Sequence, residues 1–384
     1  MNAFTFQTTP SILSEIGSTA RIGPLMAEMG CRTVMLVTDK GILDLGLANA
    51  ALNGFADVGI KTVIFSEVTA DPPEAMVLEA VETARKAGCD GIASVGGGSS
   101  MDTAKLIAVL LSGQQAIGEI YGVGQVRGAR LPLVLAPTTA GTGSEVTPIA
   151  IVTTGEAEKK GVVSPQLLPD WAILDADLTL GLPKSVTAAT GIDAMVHAIE
   201  AYTSAHKKNP VSDCLAREAL ALLGANIRIA CEQPSNREAR AAMLLGSLLA
   251  GMAFANAPVA AVHALAYPLG GHFHVPHGLS NALVLPHVLD YNREAAEAHY
   301  ADLGPIVFPH LAGLSQTNAA KGLADGFRAL SQTLEIPTRL GEVGVSHNNL
   351  PKLAEDAMKQ QRLLVNNPRP MTYEAALGIY ERAL

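Results

Sequence analysis

The sequence predicts two domains, an α/β domain over residues 1–182 and an all-α domain over residues 183–384. A chain of 384 residues is longer than one hydrophobic core usually organises. In the first part, short β-branched runs alternate with longer segments of helical periodicity, which is typical of a largely parallel sheet. After Pro183 the strand signals fade and helical patterns continue along the chain.

Five short runs predict the strands of the sheet. They are RTVMLVT (32–38), KTVIFS (61–66), DGIASV (90–95), PLVLA (132–136) and WAILD (171–175). Between them, residues 73–88 and 101–113 have apolar residues at helical spacing and a glycine at or near the end. In the second half, residues 212–230 and 237–254 predict long helices. We expect ligands to bind where the strands end.

The composition indicates a globular protein that binds neither nucleic acid nor membranes. The apolar fraction of 48%, the charged fraction of 16% and the net charge of −9 argue against disorder and against a basic surface. No basic segment followed by an apolar run stands at the amino terminus, and apolar stretches elsewhere are interrupted short of the ~20 residues of a membrane helix. The scattered cysteines form no CxxC pair, so we expect no disulfide framework, no thiolate zinc site and a reducing, cytoplasmic location. These cysteines are Cys31, Cys89, Cys214 and Cys231.

A glycine-rich run follows the predicted strand 90–95 and opens the next predicted helix. It contains Gly97, Gly98 and Ser99. Backbone N–H groups at a helix start, with no side chains in the way, can hold a pyrophosphate. The run does not have GxGxxG spacing, and a tight turn without a ligand is the alternative interpretation.

Two further strand ends carry polar groups. Asp39 ends the first predicted strand, where a carboxylate can accept a hydrogen bond from an adenosine ribose and repel a 2′-phosphate. Taken alone, an Asp-Lys-Gly sequence is more often only a turn. The loop PTTAGTGSE (137–145) offers hydroxyls and backbone donors directly after another strand. Three such loops at strand ends together predict a nucleotide cleft.

The second half contains a candidate metal site. Asp193 and His197 are four residues apart on a predicted helix and therefore share one face, although a surface pair bound to each other is the alternative. His263, from a helix, and His277, from a following turn, complete a set of oxygen and nitrogen ligands suited to a divalent transition metal. Glu200 returns to the face of Asp193 and is interpreted either as a group that orients a ligand or as the partner of an arginine.

Two more histidines, His272 and His274, lie between His263 and His277 in the sequence. Either of them could replace one of the four ligands. The alternative is that they are part of the polar wall of a loop.

These residues together resemble the iron-containing alcohol dehydrogenases, the family that includes lactaldehyde reductase and 1,3-propanediol dehydrogenase. The similarity spans nearly the whole chain. The matching motifs are GGGS followed by Asp102, PTTAGTGSE, Ala172-Ile173-Leu174-Asp175, Pro183, Gly191-Ile192-Asp193, His197, Glu200, His263, Pro268-Leu269-Gly270-Gly271 and Pro276-His277-Gly278.

The resemblance implies a fold, a ligand set and an assembly. The fold is a Rossmann-like nucleotide domain followed by an all-helical domain, as in dehydroquinate synthase, with the active site in the cleft between them. Asp193, His197, His263 and His277 would bind Fe(II), with zinc as the alternative metal, and the protein would be a homodimer. The implied NAD contacts are Asp39, Gly97, Gly98, Ser99, Asp102, Thr138, Thr139, Thr142 and Lys160.

The resemblance also implies an activity, hydride transfer between NAD(H) and a small primary alcohol or aldehyde. Metal coordination can lower the pKa of a bound water from about 15.7 to about 7, an effect larger than the ~10²–10⁴-fold that a general base contributes. Many family members carry a histidine four residues after the third metal ligand, whereas this chain has Tyr267 there. Tyr267 is therefore the candidate catalytic residue for proton transfer, or else a wall that limits substrate size.

Three other functions are compatible with parts of the pattern. A hydroxyacid–oxoacid transhydrogenase shares the family fold and has a Tyr-Pro pair that resembles Tyr267-Pro268. A dehydroquinate synthase-like lyase is disfavoured because its ligand pattern is one glutamate and two histidines. A non-catalytic binding protein is disfavoured because all four candidate ligands occur beside three candidate nucleotide loops.

Overall fold

The computed structural model describes residues 3–155 and 158–384, so Met1, Asn2, Glu156 and Ala157 lie outside the described residues. The chain divides into two compact units. The amino-terminal unit is Gln7–Leu180, and the carboxyl-terminal unit is Gly181–Leu384 together with the residues up to Phe6.

The amino-terminal unit alternates strands and helices. Its strands are β1 (Ser11–Ser14), β2 (Thr33–Val37), β3 (Lys61–Phe65), β4 (Gly91–Gly96), β5 (Gly122–Val123), β6 (Leu133–Pro137), β7 (Ile149–Thr154), β8 (Glu158–Val163) and β9 (Trp171–Leu174). Its helices are α1 (Ile22–Glu28), α2 (Lys40–Asp44), α3 (Asn49–Asp57), α4 (Glu74–Ala87), α5 (Gly98–Ser112) and α6 (Ile117–Ile120). The five predicted strands are confirmed as β2, β3, β4, β6 and β9.

The main sheet is parallel, with strand order β1-β9-β6-β4-β2-β3. In register, Val37 of β2 lies between Phe65 of β3 and Ser94 of β4. The chain therefore passes from β2 to β3 on one side and then returns to β4 on the other side. Open α/β sheets bind ligands where the strand order reverses in this way, at the carboxyl ends of the strands.

Successive residues of the central strands point into two different apolar clusters. Met35 and Val37 of β2 pack with Ile92, whereas Leu36 packs with Ala93 on the opposite face of the sheet. Helices α4 and α5 cover the first cluster, and α1 and α3 cover the second. Burial on both faces explains why these strands appear in the sequence as continuous apolar runs rather than as alternating patterns.

The carboxyl-terminal unit is helical, and its described residues contain no strand, as predicted. Its helices are α7 (Lys184–Thr203), α8 (Pro210–Glu232), α9 (Arg237–Asn256), α10 (Ala261–Phe273), α11 (His277–Val307), α12 (Gln316–Thr333), α13 (Leu350–Met358), α14 (Gln361–Leu364) and α15 (Tyr373–Ala383). Asparagine side chains begin two of the long helices: Asn209 accepts from the N–H of Ser212 over 2.9 Å, and Asn236 accepts from that of Ala239 over 3.0 Å.

Helix α9 is, within the described residues, the one helix long and apolar enough to cross a membrane by length and composition. Most of it is buried inside the unit, where it packs against α7 and α8. The core helix of a folded unit has these same properties. The helix is therefore weak evidence for a membrane span.

Candidate metal centre and nucleotide groove

Three helices bring the predicted metal ligands together. Helix α7 carries Asp193 and His197 one turn apart, α10 carries His263, and α11 begins with His277. One ligand atom from each lies within 4.8 Å of the others. Asp193 Oδ1 is 3.9 Å from Nε2 of His263 and 3.7 Å from Nε2 of His277. The prediction that His277 lies in a turn is wrong, because this residue is the first of a long helix.

The close approach of α11 to α7 depends on Gly278. A Cβ atom at this position would lie 2.4 Å from the carbonyl oxygen of Ala189 and 3.3 Å from Cβ of Asp193. A side chain would therefore force the two helices apart. Glycine next to His277 lets its imidazole reach the carboxylate of Asp193.

Glu200 fixes the orientation of His263. Its carboxylate accepts from the backbone N–H groups of Ala260 (3.0 Å) and Val262 (2.6 Å) at the start of α10, and it bonds Nδ1 of His263 over 2.7 Å. A carboxylate can only accept, so Nδ1 carries the proton and the lone pair of Nε2 faces the cluster. Of the two interpretations of Glu200, the structure supports the one in which it orients a histidine.

The cluster is enclosed by ring stacking. The imidazole of His197 stacks on Phe254 with ring centroids 4.2 Å apart, and on His263 with centroids 4.7 Å apart. Asp193, His197 and His263 are buried, whereas the side chain of His277 is 39% exposed. The open side of the cluster is therefore at His277.

The pKa of Asp193 lies below its ordinary value. Burial alone would raise it, but the imidazoles of His197, His277 and His263 and a hydrogen bond from Asn281 favour the charged carboxylate. Asp193 is therefore ionised at neutral pH, which is the form that binds a cation.

The other two histidines of this segment lie outside the cluster. His272 bonds Asp356 through Nε2 over 2.7 Å at an exposed position. His274 ends α10 in a left-handed conformation with φ of 54°. Tyr267 lies one turn after His263 on α10, so the four-residue spacing predicts that both side chains project from the same face of the helix. The ring centroid of Tyr267 is 5.9 Å from that of His277, in agreement with this prediction.

A groove of about 430 Å³ lies in the amino-terminal unit, where the strand order reverses between β2 and β4. The predicted residues that line it are Asp39, Gly97, Gly98, Ser99 and Thr139. Five residues that were not predicted also line it, namely Lys40, Gly41, Val68, Thr69 and Ser100. Val68 and Thr69 follow β3, so the rule that ligands bind at strand ends could have found them.

Asp39 and Gly98 have further roles in forming this groove. Asp39 caps α2, since its Oδ1 accepts from the N–H of Ile42 over 3.0 Å. A Cβ atom on Gly98 would lie 2.9 Å from Cγ2 of Thr142, so a side chain at 98 would have to displace the side chain of Thr142.

Four predicted cofactor contacts are not among the residues that line the groove. Thr142 accepts from the N–H of Ser144 over 3.2 Å, and Thr138 is buried, with its backbone N–H bonded to the carbonyl of Gly96. Lys160 on β8 lies 5.5 Å from the ring centroid of Tyr121. The fourth is Asp102. Its carboxylate accepts from the hydroxyl of Ser144 (2.6 Å) and the N–H of Ile151 (2.9 Å), which joins α5 to the loop before β7 and to β7 itself.

Both units match models of a single family. The model described as iron-containing alcohol dehydrogenase matches residues 9–176, and the model of the carboxyl-terminal part of the Fe-containing alcohol dehydrogenase family matches residues 187–384. The chain is 38% identical over 370 residues to long-chain-alcohol dehydrogenase 1 of Geobacillus thermodenitrificans, covering 96% of this chain and 93% of that protein.

Solved structures agree with these matches along the whole chain. The crystal structure of a 1,3-propanediol oxidoreductase superposes with a TM-score of 0.97 at 35% identity, covering 100% of both chains. Sulfoacetaldehyde reductase from Bifidobacterium kashiwanohense, solved in complex with NAD⁺, superposes with a TM-score of 0.90 at 28% identity, covering 100% of this chain and 99% of that chain.

Proposed function

Because the chain belongs to the iron-containing alcohol dehydrogenase family, we propose that it uses a divalent metal to transfer a hydride between NAD(H) and a small primary alcohol or aldehyde. The observation that carries the proposal is the convergence of Asp193, His197, His263 and His277 within 4.8 Å. Two of the relatives are named for small compounds, 1,3-propanediol and sulfoacetaldehyde, and one is named for long-chain alcohols, so the proposal concerns a class of substrate and not one compound.

The donor set fits a transition metal. One carboxylate oxygen and three imidazole nitrogens suit Fe(II), which the family favours, or zinc. Glu200 supports this fit because it directs the lone pair of His263 Nε2 into the cluster. A divalent ion there supplies Lewis-acid polarisation of the substrate oxygen, worth several kcal/mol.

The remaining tasks belong to side chains and backbone groups of the chain. The buried carboxylate of Asp193 provides the negative charge that favours a cation at the cluster. Tyr267, beside the exposed face of His277, is our candidate for donating a hydrogen bond or a proton to the substrate oxygen. For the cofactor, we propose that backbone N–H groups at Gly98 and Ser99 bind the pyrophosphate and that Asp39 accepts from the ribose.

The remaining cofactor contacts, the assembly and the location also stay proposals. Thr138, Thr142, Asp102 and Lys160 remain candidate NAD contacts, and residues 1–182 and 183–384 remain our assignment of the functional domains.

We propose a homodimer, and the exposed Ile12 on the edge strand β1 and Ile16 just after it offer apolar surface for one. All four cysteines are free in the structure, which supports a reducing cytoplasm.

The decisive experiment separates metal binding from nucleotide binding. We expect Asp193→Ala and His277→Ala to lose the metal and turnover but to keep NADH binding, because the nucleotide groove is formed by other residues in the other unit. Metal analysis, NADH fluorescence titration and aldehyde-dependent NADH oxidation would be measured on anaerobically iron-loaded protein. His272→Ala is the matched control, since His272 lies on the same helix as His263 but bonds Asp356.

Two outcomes would contradict the proposal. Full turnover in a metal-free variant would exclude a catalytic metal. Hydride exchange between a hydroxyacid and an oxoacid without net NADH release would identify a transhydrogenase instead.

Light scattering of the same samples would test the homodimer, whose mass should be about twice the 39.8 kDa of one chain.

A further inference from the structure

A buried amide lies among the metal-binding side chains. Asn281 follows His277 by one turn of α11 and is fully buried. Its Nδ2 donates to Asp193 Oδ1 over 2.6 Å and lies 3.3 Å from Nε2 of both His263 and His277. One NH₂ group therefore contacts three of the four proposed ligand atoms.

We propose that Asn281 is a positioning residue of this centre, which holds Asp193, His263 and His277 together before the ion binds and thereby strengthens metal uptake. This inference rests on the proposed metal centre. It adds a residue that does not itself need to bind the ion.

The chemistry of the neighbours fixes the orientation of the amide. The carboxylate oxygen Oδ1 of Asp193 is an acceptor, and Glu200 keeps the proton of His263 on Nδ1, which leaves Nε2 as an acceptor too. The reversed amide would place its carbonyl oxygen against these acceptors with no proton between them. The NH₂ end, with its partial positive charge, is therefore the end that the cluster accommodates.

The carbonyl oxygen of the Asn281 amide indicates that a polar side chain is needed here for more than packing. Oδ1 of Asn281 is buried and has no hydrogen-bond partner within residues 3–155 and 158–384. A buried acceptor without a partner costs about 1–3 kcal/mol. A leucine would fill a similar volume without this cost, so filling space does not explain an amide here.

The need for positioning follows from the origin of the ligands. They come from three separate helices, and without a cation their lone pairs repel one another at short range. The Asn281 donor offsets this repulsion. A bound ion would use the single lone pair of each imidazole nitrogen, so the amide would lose its contacts with the histidines. A carboxylate oxygen has two lone pairs and could bind both an ion and the amide. The bond to Asp193 can therefore persist when the metal is bound.

The test measures metal affinity directly. Asn281→Ala and Asn281→Leu would be titrated with Zn(II) and Co(II) in competition with a chromophoric chelator, and the visible absorption of bound Co(II) would be recorded. We expect both variants to bind each metal 10–100-fold more weakly than the wild type, which is the usual effect of removing a group that orients a ligand. The leucine variant keeps the volume, so weaker binding there cannot come from a cavity.

Asn292→Ala is the matched control. Asn292 is also a buried asparagine of α11, but it exchanges hydrogen bonds of 2.9 and 2.7 Å with Asn367. Its substitution should lower the unfolding temperature and leave metal affinity unchanged.

Each other outcome has a defined meaning. Affinities within about twofold of the wild type in both Asn281 variants would show that Asn281 only fills space. Tighter binding would show that the amide competes with the ion. Either result overturns the inference and leaves the proposed function intact. A wild-type protein that binds neither metal would instead overturn the proposed function. If both variants fail to fold, the same titration on Asn281→Ser, which keeps a small polar side chain, must show the loss of affinity.

Discussion

Single side chains at the proposed metal centre bond more than one partner. The carboxylate of Glu200 accepts from two backbone N–H groups at the start of α10 and from the imidazole of His263. A helix start otherwise leaves such N–H groups without partners. The same carboxylate thus satisfies the first turn of a helix and sets which nitrogen of a histidine faces the cluster.

The residue-scale prediction concerns Tyr267. We expect Tyr267→Phe to keep its metal and to lower turnover by no more than about 10²-fold, the lower end of general acid–base effects. The physical reason is that polarisation by the metal supplies most of the acidification, so the hydroxyl adds little. Steady-state kinetics beside metal analysis would measure this. A loss above about 10⁴-fold at unchanged metal content would make the hydroxyl an essential proton donor.

Spacing in the sequence placed Asp193 and His197 on one helical face, because residues four apart share it, and the histidines that follow favoured a metal site over a surface pair. Spacing could not give the role of Asn281. Asn281 also follows His277 by four residues, but its contact with Asp193 requires the packing of α11 on α7, which no local pattern encodes. A motif position also does not show what its side chain bonds: the carboxylate of Asp102, beside the glycine-rich turn, accepts from Ser144 and Ile151, and Asp102 is not among the residues that line the groove.

At the scale of secondary-structure elements, the junction of β2 and α2 leads to a prediction about cofactor choice. We expect the wild type to prefer NADH to NADPH, because a 2′-phosphate near Asp39 would be repelled. Asp39→Asn should weaken this preference without loss of the helix cap, since asparagine caps as well as aspartate, and Asp39→Gly should do so at a cost of a few tenths of a kcal/mol. The measurement is the ratio of kcat/KM for the two cofactors.

Asp44→Asn provides the control for this prediction. Asp44 is an exposed carboxylate at the end of the same short helix and does not line the groove. If the wild type uses NADPH more efficiently than NADH, the assignment of Asp39 to the ribose is wrong.

The most buried strands were the most predictable ones, whereas the partly exposed strand β7, although as long as β4, was not predicted. Strands β4 and β6 are entirely buried, so each gives a continuous apolar run that stands out from the helices around it. Strand β1 has four residues that alternate between partly exposed and exposed, and β5 has two residues. Such segments are too short for the alternation of apolar and polar residues that identifies a strand in a sequence. They are strands because they pair with residues far away in the chain, and a sequence does not show this pairing.

At the scale of the whole molecule, one buried carboxyl group should make stability depend on pH. Glu145, the last residue of the loop 137–145, is 1% exposed, and its Oε2 has no hydrogen-bond partner within the described residues. Burial raises the pKa of Glu145 from 4.5 to about 7, although backbone hydrogen bonding and the nearby Lys105 oppose the change. The folded protein therefore keeps this proton over a pH range in which the unfolded chain has lost it.

The sign follows from the numbers of bound protons. Between pH 4.5 and about 7 the unfolded state binds fewer protons than the folded state, so this group lowers the free energy of unfolding as pH rises through that window. At about 1.36 kcal/mol for each pH unit, the full effect is on the order of 3 kcal/mol above pH 7. We expect Glu145→Gln to match the wild type near pH 5 and to be more stable at pH 8.

Urea unfolding of both proteins between pH 5 and 9 would test this expectation. Glu28→Gln, at an exposed position, is the control and should not change the pH dependence. A constant difference between Glu145→Gln and the wild type over the whole range would mean that Glu145 does not change its protonation state in the folded protein.

The contact between Gly278 and the carbonyl of Ala189 has a consequence for engineering this enzyme. A Cβ atom at 278 meets backbone, which cannot rotate away as a side chain can, so every other residue at this position must displace a whole helix. Tyr267, by contrast, approaches His277 with its ring, which can be exchanged without moving a helix. A mutant library intended to change substrate range should therefore vary 267, beside the open side of the cluster, and keep 278 as glycine, because variants at 278 would be removed by loss of the metal before any new substrate was tested.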